Sequence, residues 1–177
     1  RNAVVAAAKA SGLKAAQLHG FESPAMVGEV AAQVRWVIKA VVAGSRDAAR
    51  ADEFGTDMIL VDAPSPGTGQ VFDWSLLADL PEGPRYILAG GLNPDNVGLA
   101  VSTANPWGVD VSSGVERSPG RKDPLKVKAF VERVKDLGAV AQRDAMIETG
   151  YVAPHWPEPW GRAASPVTRP GQRSWKS

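Results

Sequence analysis

Five short apolar runs, each followed by a stretch with helical spacing, constrain this chain more than any other feature. They read "AAQLHG" (15–20), "WVIKAVV" (36–42), "MILVDAP" (58–64), "YILAGGL" (86–92) and "GVDVSSGV" (108–115). Near-continuous Val, Ile, Leu and Ala, without polar alternation, suits strands covered on both faces, the situation of a parallel sheet. The connecting segments carry helix signals. Gly12 is placed to end an alanine-rich helix over 2–10, and Ser23-Pro24 stand as N-cap and N1 of a helix through "AMVGEVAAQV". Ser45 is placed to cap a helix over 45–54, and a short helix is predicted over 74–79. Asn93-Pro94 open "DNVGLAVSTA", and Asp123-Pro124 open the amphipathic "LKVKAFVERVKDL". Alternating strand and helix imply βαβ units with right-handed crossovers. A repeat of roughly 20–25 residues fits the (β/α)8 barrel, which spends about 250 residues on eight units. A doubly wound open sheet of five strands is the alternative, and periodicity alone does not separate the two.

The α/β pattern occupies residues 1–137. Residues 138–177 are expected to form an irregular Pro- and Trp-rich C-terminal extension, with no helical period continuing past about Thr149. Five of the 14 prolines fall there, a density that breaks helix and strand alike. Three of the six tryptophans fall there too, which suggests docking onto the barrel or a partner. With 44% apolar and 22% charged residues, the chain has material for one core. A formal charge of +1 without a basic stripe points to no nucleic-acid partner and no anionic membrane surface. No apolar stretch is long enough to span a bilayer. Lys9 and Lys14 interrupt the N-terminal run of small residues, unlike a secretory leader. The absence of cysteine excludes disulfides, thiolate metal sites and a cysteine nucleophile from these residues, and it is compatible with a cytoplasmic location.

Chemistry concentrates where strands meet loops. In "AGGLNPDNV", Gly90 and Gly91 let the backbone approach an anion closely, and the helix opened by Asn93-Pro94 adds unpaired N–H groups. In "VDVSSGVE", Ser112, Ser113 and Gly114 offer hydroxyl and amide donors. Loops after the last two strands of a (β/α) barrel frequently share one phosphate, so the two motifs are expected to form the halves of one cup; the bland alternative is a pair of tight turns. Asp62 ends the apolar strand "MILVD", facing the catalytic mouth, where a partly buried carboxyl suits a general acid; the same carboxylate could instead order the loop "SPGTGQ". Asp110 has the same choice between accepting from a substrate hydroxyl and bracing loops. His19, ending "QLHG", either reaches the site or makes a structural hydrogen bond. "PGTGQ" is a candidate rim over substrate.

Taken together, "QLHG", "ILVDAPSPGTGQVFDWSLL", "ILAGGLNPDNV" and "GVDVSSGVERSPGRKDPLKVKAFV" resemble consecutive signatures of the phosphoribosylanthranilate isomerases, over about residues 1–137. "VDVSSGVE" followed by "PGRKD" is the most specific part. The resemblance implies a TIM barrel and a cofactor-free, metal-free Amadori rearrangement in tryptophan biosynthesis. In it N-(5-phosphoribosyl)anthranilate becomes the 1-deoxyribulose isomer: a general acid opens the ribose ring and a general base takes the C2 proton. By position, Asp62 matches the family's general acid. Gly90 and Gly91 match its first phosphate loop; Ser112, Ser113 and Gly114 match its second. Asp110 matches a residue lining the pocket.

The sequence also departs from that pattern. The family's base is a cysteine near the start of the first strand, and an arginine on the second strand meets the anthranilate carboxylate; no residue here takes either role. The match begins within what would be the helix after the third strand, so the expectation is a partial barrel of five strands lacking the first three. Such a section is expected to be inactive by itself and to associate through its open edges. Two other readings stand beside this one. A different phosphate-binding barrel, such as indole-glycerol-phosphate synthase, would want a Lys and Glu pair at the strand ends. The other is a non-catalytic half-barrel that binds phosphosugars.

Overall fold

The structure, a computed structural model, describes residues 2–64 and 73–149, with side chains over 3–64 and 73–137. The predicted rim "PGTGQ" (66–70) and the extension from 150 onward lie outside the described residues. Five strands form one sheet: β1 Ala15–Leu18, β2 Trp36–Val42, β3 Met58–Asp62, β4 Arg85–Leu88 and β5 Gly108–Val109. All four pairings are parallel, and the order is β1-β2-β3-β4-β5. A doubly wound sheet must reverse its direction of growth once. This one never does, and that decides against the open-sheet alternative.

Growth in one direction with right-handed crossovers stacks every helix on one face. The packing bears this out. Leu18, Val37, Val41, Ile59, Val61 and Leu88 point into one large cluster with residues of four helices: α1 (Asn2–Ala10), α2 (Pro24–Ala31), α3 (Val97–Ala104) and α4 (Pro124–Thr149). Phe54 joins them from a 3-10 segment, Ala48–Phe54. The alternate strand positions make a second, smaller cluster of Ala40, Leu60 and Ala89, flanked by Ile38 and Ile87. Period-two alternation therefore assigns Asp62, His19 and Asp110 to the face of the small cluster, away from the helices.

Several elements differ from their expected form. Ser45 Oγ accepts the Ala48 N–H at 3.1 Å as a cap should, but Ala48–Phe54 is a 3-10 segment kinked at Arg50 rather than an α-helix. Arg50 pairs with Asp47 at 3.0 Å, and such local side-chain bonding competes with regular helix. The segment expected over 74–79 is likewise 3-10, Trp74–Leu77. The last strand stops at Val109 instead of running to 115. Asp110 N–H still reaches Leu88 O at 2.8 Å, but the chain then turns into a 3-10 stretch, Ser113–Val115. Next comes a small antiparallel hairpin, β6 Glu116–Ser118 with β7 Arg121–Lys122. α4 continues through 138–149, where an irregular extension was expected. No described helix is long and apolar enough to cross a membrane.

Candidate active site

The C-terminal ends of β3, β4 and β5 meet in direct contact. Gly90 has φ +80°, and a Cβ there would lie 2.5 Å from Ala63 Cβ and 2.8 Å from Asp62 Oδ1. A Cβ on Gly114 would overlap the Leu92 carbonyl oxygen. Only glycine lets the loop after β4 lie on the end of β3, and the loop after β5 lie on the loop after β4. So Gly90, Gly91 and Gly114 share one end of the sheet with Asp62.

Each loop is tied from behind. Asn93 Oδ1 accepts from the Asp95 and Asn96 N–H groups at 2.8 and 3.1 Å, while Asn96 Oδ1 accepts the Asn93 N–H at 2.8 Å. This reciprocal pair acts as a capping box; the Val97 N–H bonds to Asn93 O at 3.1 Å, and regular α3 runs on from Val97. Asn96 Nδ2 then donates to Gly91 O at 2.9 Å, fixing the glycine turn, where Gly91 has φ +66°. Beyond β5, the Lys122 ammonium donates to Ser112 O at 2.8 Å. A shallow hollow of about 500 Å³ runs beside these loops, lined by Asn93, Pro94, Ser113, Gly114, Leu125 and Lys126 among others.

Asp62 is mostly covered, at 14% exposure, and its Oδ1 accepts the Ala63 N–H at 2.8 Å. His19 is half-exposed and comes to the same place: its Nε2 stands 3.7 Å from Asp62 Oδ2, although β2 runs between their strands. The loop carrying His19 is anchored below by Lys39, the one fully buried lysine among the described residues. Lys39 Nζ donates to Gly20 O at 2.7 Å and to Glu22 Oε2 at 3.0 Å, and it lies 5.6 Å from the centre of the Phe54 ring. Burial works to raise the Glu22 carboxyl, but the Lys39 ammonium and the Gly20 N–H outweigh it, and the group sits below its ordinary range.

The residues singled out from sequence thus fall into one region. Asp62, His19, Gly90, Gly91, Ser113 and Gly114 lie at these contact points, and Asp110 and Ser112 flank them as exposed residues on the β5 end. Sequence reasoning missed Asn96, Lys39 with Glu22, and Lys122. The Asn-x-x-Asn spacing at 93–96 was the available signal for the first; nothing local marks Lys39, whose partners are 17 and 19 residues away. No described group of three or more His, Asp or Glu residues could hold a metal ion.

Known proteins resemble this chain in sequence and in fold. The family model of N-(5'phosphoribosyl)anthranilate (PRA) isomerase matches residues 1–133. The N-(5'-phosphoribosyl)anthranilate isomerase of Citrifermentans bemidjiense is 44% identical over 133 residues, which are 73% of this chain and 64% of that protein. Its Thermotoga maritima counterpart is 44% identical over 130 residues, 71% of this chain and 63% of the relative. Among solved structures, phosphoribosyl anthranilate isomerase from Thermotoga maritima superimposes with a TM-score of 0.68 at 39% identity, covering 76% of this chain and 68% of that one. TrpF from Jonesia denitrificans gives 0.67 at 40% identity, covering 77% and 67%. The chain spans a little under two thirds of the length of the curated relatives it matches. With the family model matching well over half of its residues, the chain belongs to the N-(5'-phosphoribosyl)anthranilate isomerase family.

Proposed function

We propose that these residues form the phosphate-gripping and proton-donating section of a phosphoribosylanthranilate isomerase barrel, its five strands being the last five of eight. The observation that carries this reading is the pair of glycine contacts, Gly90 on Asp62 and Gly114 on Leu92, which bring two anion-type loops and one carboxyl group to a single end of the sheet. The substrate is N-(5-phosphoribosyl)anthranilate. Amides of Gly90, Gly91, Ser113 and Gly114, with the Ser112 hydroxyl, hold its 5-phosphate, and Asp110 accepts from a sugar hydroxyl. That remote binding energy places the ribose over Asp62. Asp62 gives its proton to the ring oxygen as the C1–O bond breaks, and the resulting open-chain iminium then loses its C2 proton to a base, leaving a neutral enaminol. Tautomerisation yields 1-(2-carboxyphenylamino)-1-deoxyribulose 5-phosphate, with no cofactor consumed. In support, one family member at TM-score 0.63 and 36% identity was solved with reduced 1-(o-carboxyphenylamino)-1-deoxyribulose 5-phosphate bound.

These 177 residues contain no cysteine to serve as that base. The reaction therefore needs a base from outside them, and in the cytoplasm of a tryptophan-synthesising cell the chain by itself turns over negligibly. The open edges of β1 and β5 are where further barrel strands, or a second copy, would add. The test is growth of an isomerase-deficient tryptophan auxotroph. The chain alone should fail to restore growth, and the chain supplied with a three-unit βα segment carrying the cysteine and arginine should restore it. Growth on the chain alone would overturn the assignment of the base; no growth with the segment would overturn the role of these residues. A synthase-type site is disfavoured because Lys39, the lysine within the large sheet, sits on the helix-facing side.

A further inference from the structure

The motif "PGRKD" at 119–123 has no part in the isomerisation chemistry, yet its lysine reaches directly into the second loop. Lys122 pairs across the β6–β7 hairpin with Glu116. Its Nζ donates to Ser112 O at 2.8 Å and to Glu116 Oε1 at 2.9 Å, with Ser112 Oγ at 3.4 Å. An ammonium has three donors, and three acceptors of this chain take them. Glu116 is held in turn: its Oε2 accepts the Gly120 N–H at 3.2 Å, and its backbone carbonyl accepts from Lys126 Nζ at 2.9 Å. Asp123 N–H closes the segment onto Val115 O at 2.8 Å. The Lys122 and Gly120 bonds hold the Glu116 carboxyl below its ordinary range, so it is an anion at neutral pH.

The geometry of one peptide group gives this clamp a use. In a planar trans peptide the carbonyl of one residue and the N–H of the next point to opposite sides. Drawing the Ser112 carbonyl toward Lys122 therefore turns the Ser113 N–H to the side away from Lys122. Asn96 does the same to the other loop by holding Gly91 O, which sets the Leu92 N–H.

We propose that Lys122 is a positioning residue: it does not bind the ligand, but by anchoring the Ser112–Ser113 peptide against Glu116 it aligns the Ser113 and Gly114 amides for the phosphate of a phosphosugar. This role rests on the proposed phosphate cup. An ammonium spent on its own chain acts through loop geometry, whereas a lysine free to meet the ligand would act through charge, and salt distinguishes the two.

The full chain is titrated with inorganic phosphate while the amide signals of Gly90, Gly91, Ser113 and Gly114 are followed by 15N NMR. Lys122→Met is expected to weaken phosphate binding about tenfold. That loss should persist in about 0.5 M KCl, where the screening length falls to about 4 Å. Before phosphate is added, the Ser113 and Gly114 signals should already be displaced in this variant and those of Gly90 and Gly91 unmoved. Lys122→Arg, which keeps the charge and its donors, should recover binding to within about threefold. If the unsubstituted chain responds and Lys122→Met binds equally well, or its loss vanishes in salt, the positioning role is overturned while the cup stands. If the unsubstituted chain shows no response at any of the four amides, the cup and the positioning role fall together.

Discussion

Lys39 Nζ lies 3.0 Å from Glu22 Oε2 in the layer between sheet and helices, and this buried pair anchors the loop that carries His19 toward Asp62. Lys39 is 1% exposed and Glu22 23%. Removing one partner of a fully buried pair costs about 3–5 kcal/mol, because the other charge is left stranded. Glu22 keeps some water, so Lys39→Met is expected to cost about 2–3 kcal/mol, read as a lower urea midpoint. The depressed Glu22 carboxyl also sets a pH dependence. Its contribution is fully present above the unfolded value of about 4.5 and is lost as pH falls through the lower folded value. Melting curves between about pH 3 and pH 6 should lose part of their acid-side slope in the variant. An unchanged slope would mean that Glu22 draws nothing from Lys39.

Gly114→Ala tests the junction between the two loops. Its Cβ would overlap the Leu92 carbonyl, so the loops must separate or the backbone must shift, at about 1–3 kcal/mol. Gly55→Ala is the control: Gly55 has φ +63° but open space around it, so it carries only the conformational penalty, about 1 kcal/mol. Gly114→Ala should lose the more stability in urea titration and should also lose the phosphate response, which Gly55→Ala keeps. Equal behaviour of the two variants would show that the close contact does not shape the cup.

Asp62→Asn separates chemistry from structure. Asparagine Oδ1 can still accept the Ala63 N–H that Asp62 accepts at 2.8 Å, and the side chains are nearly isosteric. The variant should melt within a few tenths of a kcal/mol of the parent and bind phosphate unchanged. Its turnover, measured with the three-unit βα segment of the growth test supplied, should fall by about 10²–10⁴ for loss of the acid. Retained turnover would remove Asp62 from the mechanism.

The five strands were legible because parallel strands are largely buried on both faces, so each announces itself as a near-continuous apolar run, with Gln17 and Lys39 the polar exceptions in β1 and β2. The loop glycines were legible for a related reason: a glycine at a strand end has few uses other than close approach or a turn. Helix character was less so. The 45–54 segment carries a good cap in Ser45, yet Asp47 and Arg50 bond locally and tighten it to 3-10 form. The helix "DNVGLAVSTA", expected from Asp95, becomes regular two residues later at Val97, after a capping turn closed by Asn93 and Asn96.

By itself, the order of residues determined the five strands of the parallel sheet, though not the β6–β7 hairpin, as well as which strand ends carry glycine and carboxylate and which family the chain resembles, since each of those depends on neighbours a few positions apart. Tertiary structure alone decided that the sheet grows in one direction and that His19 stands beside Asp62. It alone also showed that Lys39 turns toward the helices and that Lys122 closes on Ser112. Those facts depend on which surfaces face each other after distant segments pack, and a contact between residues 17 or 43 positions apart leaves no trace in local pattern.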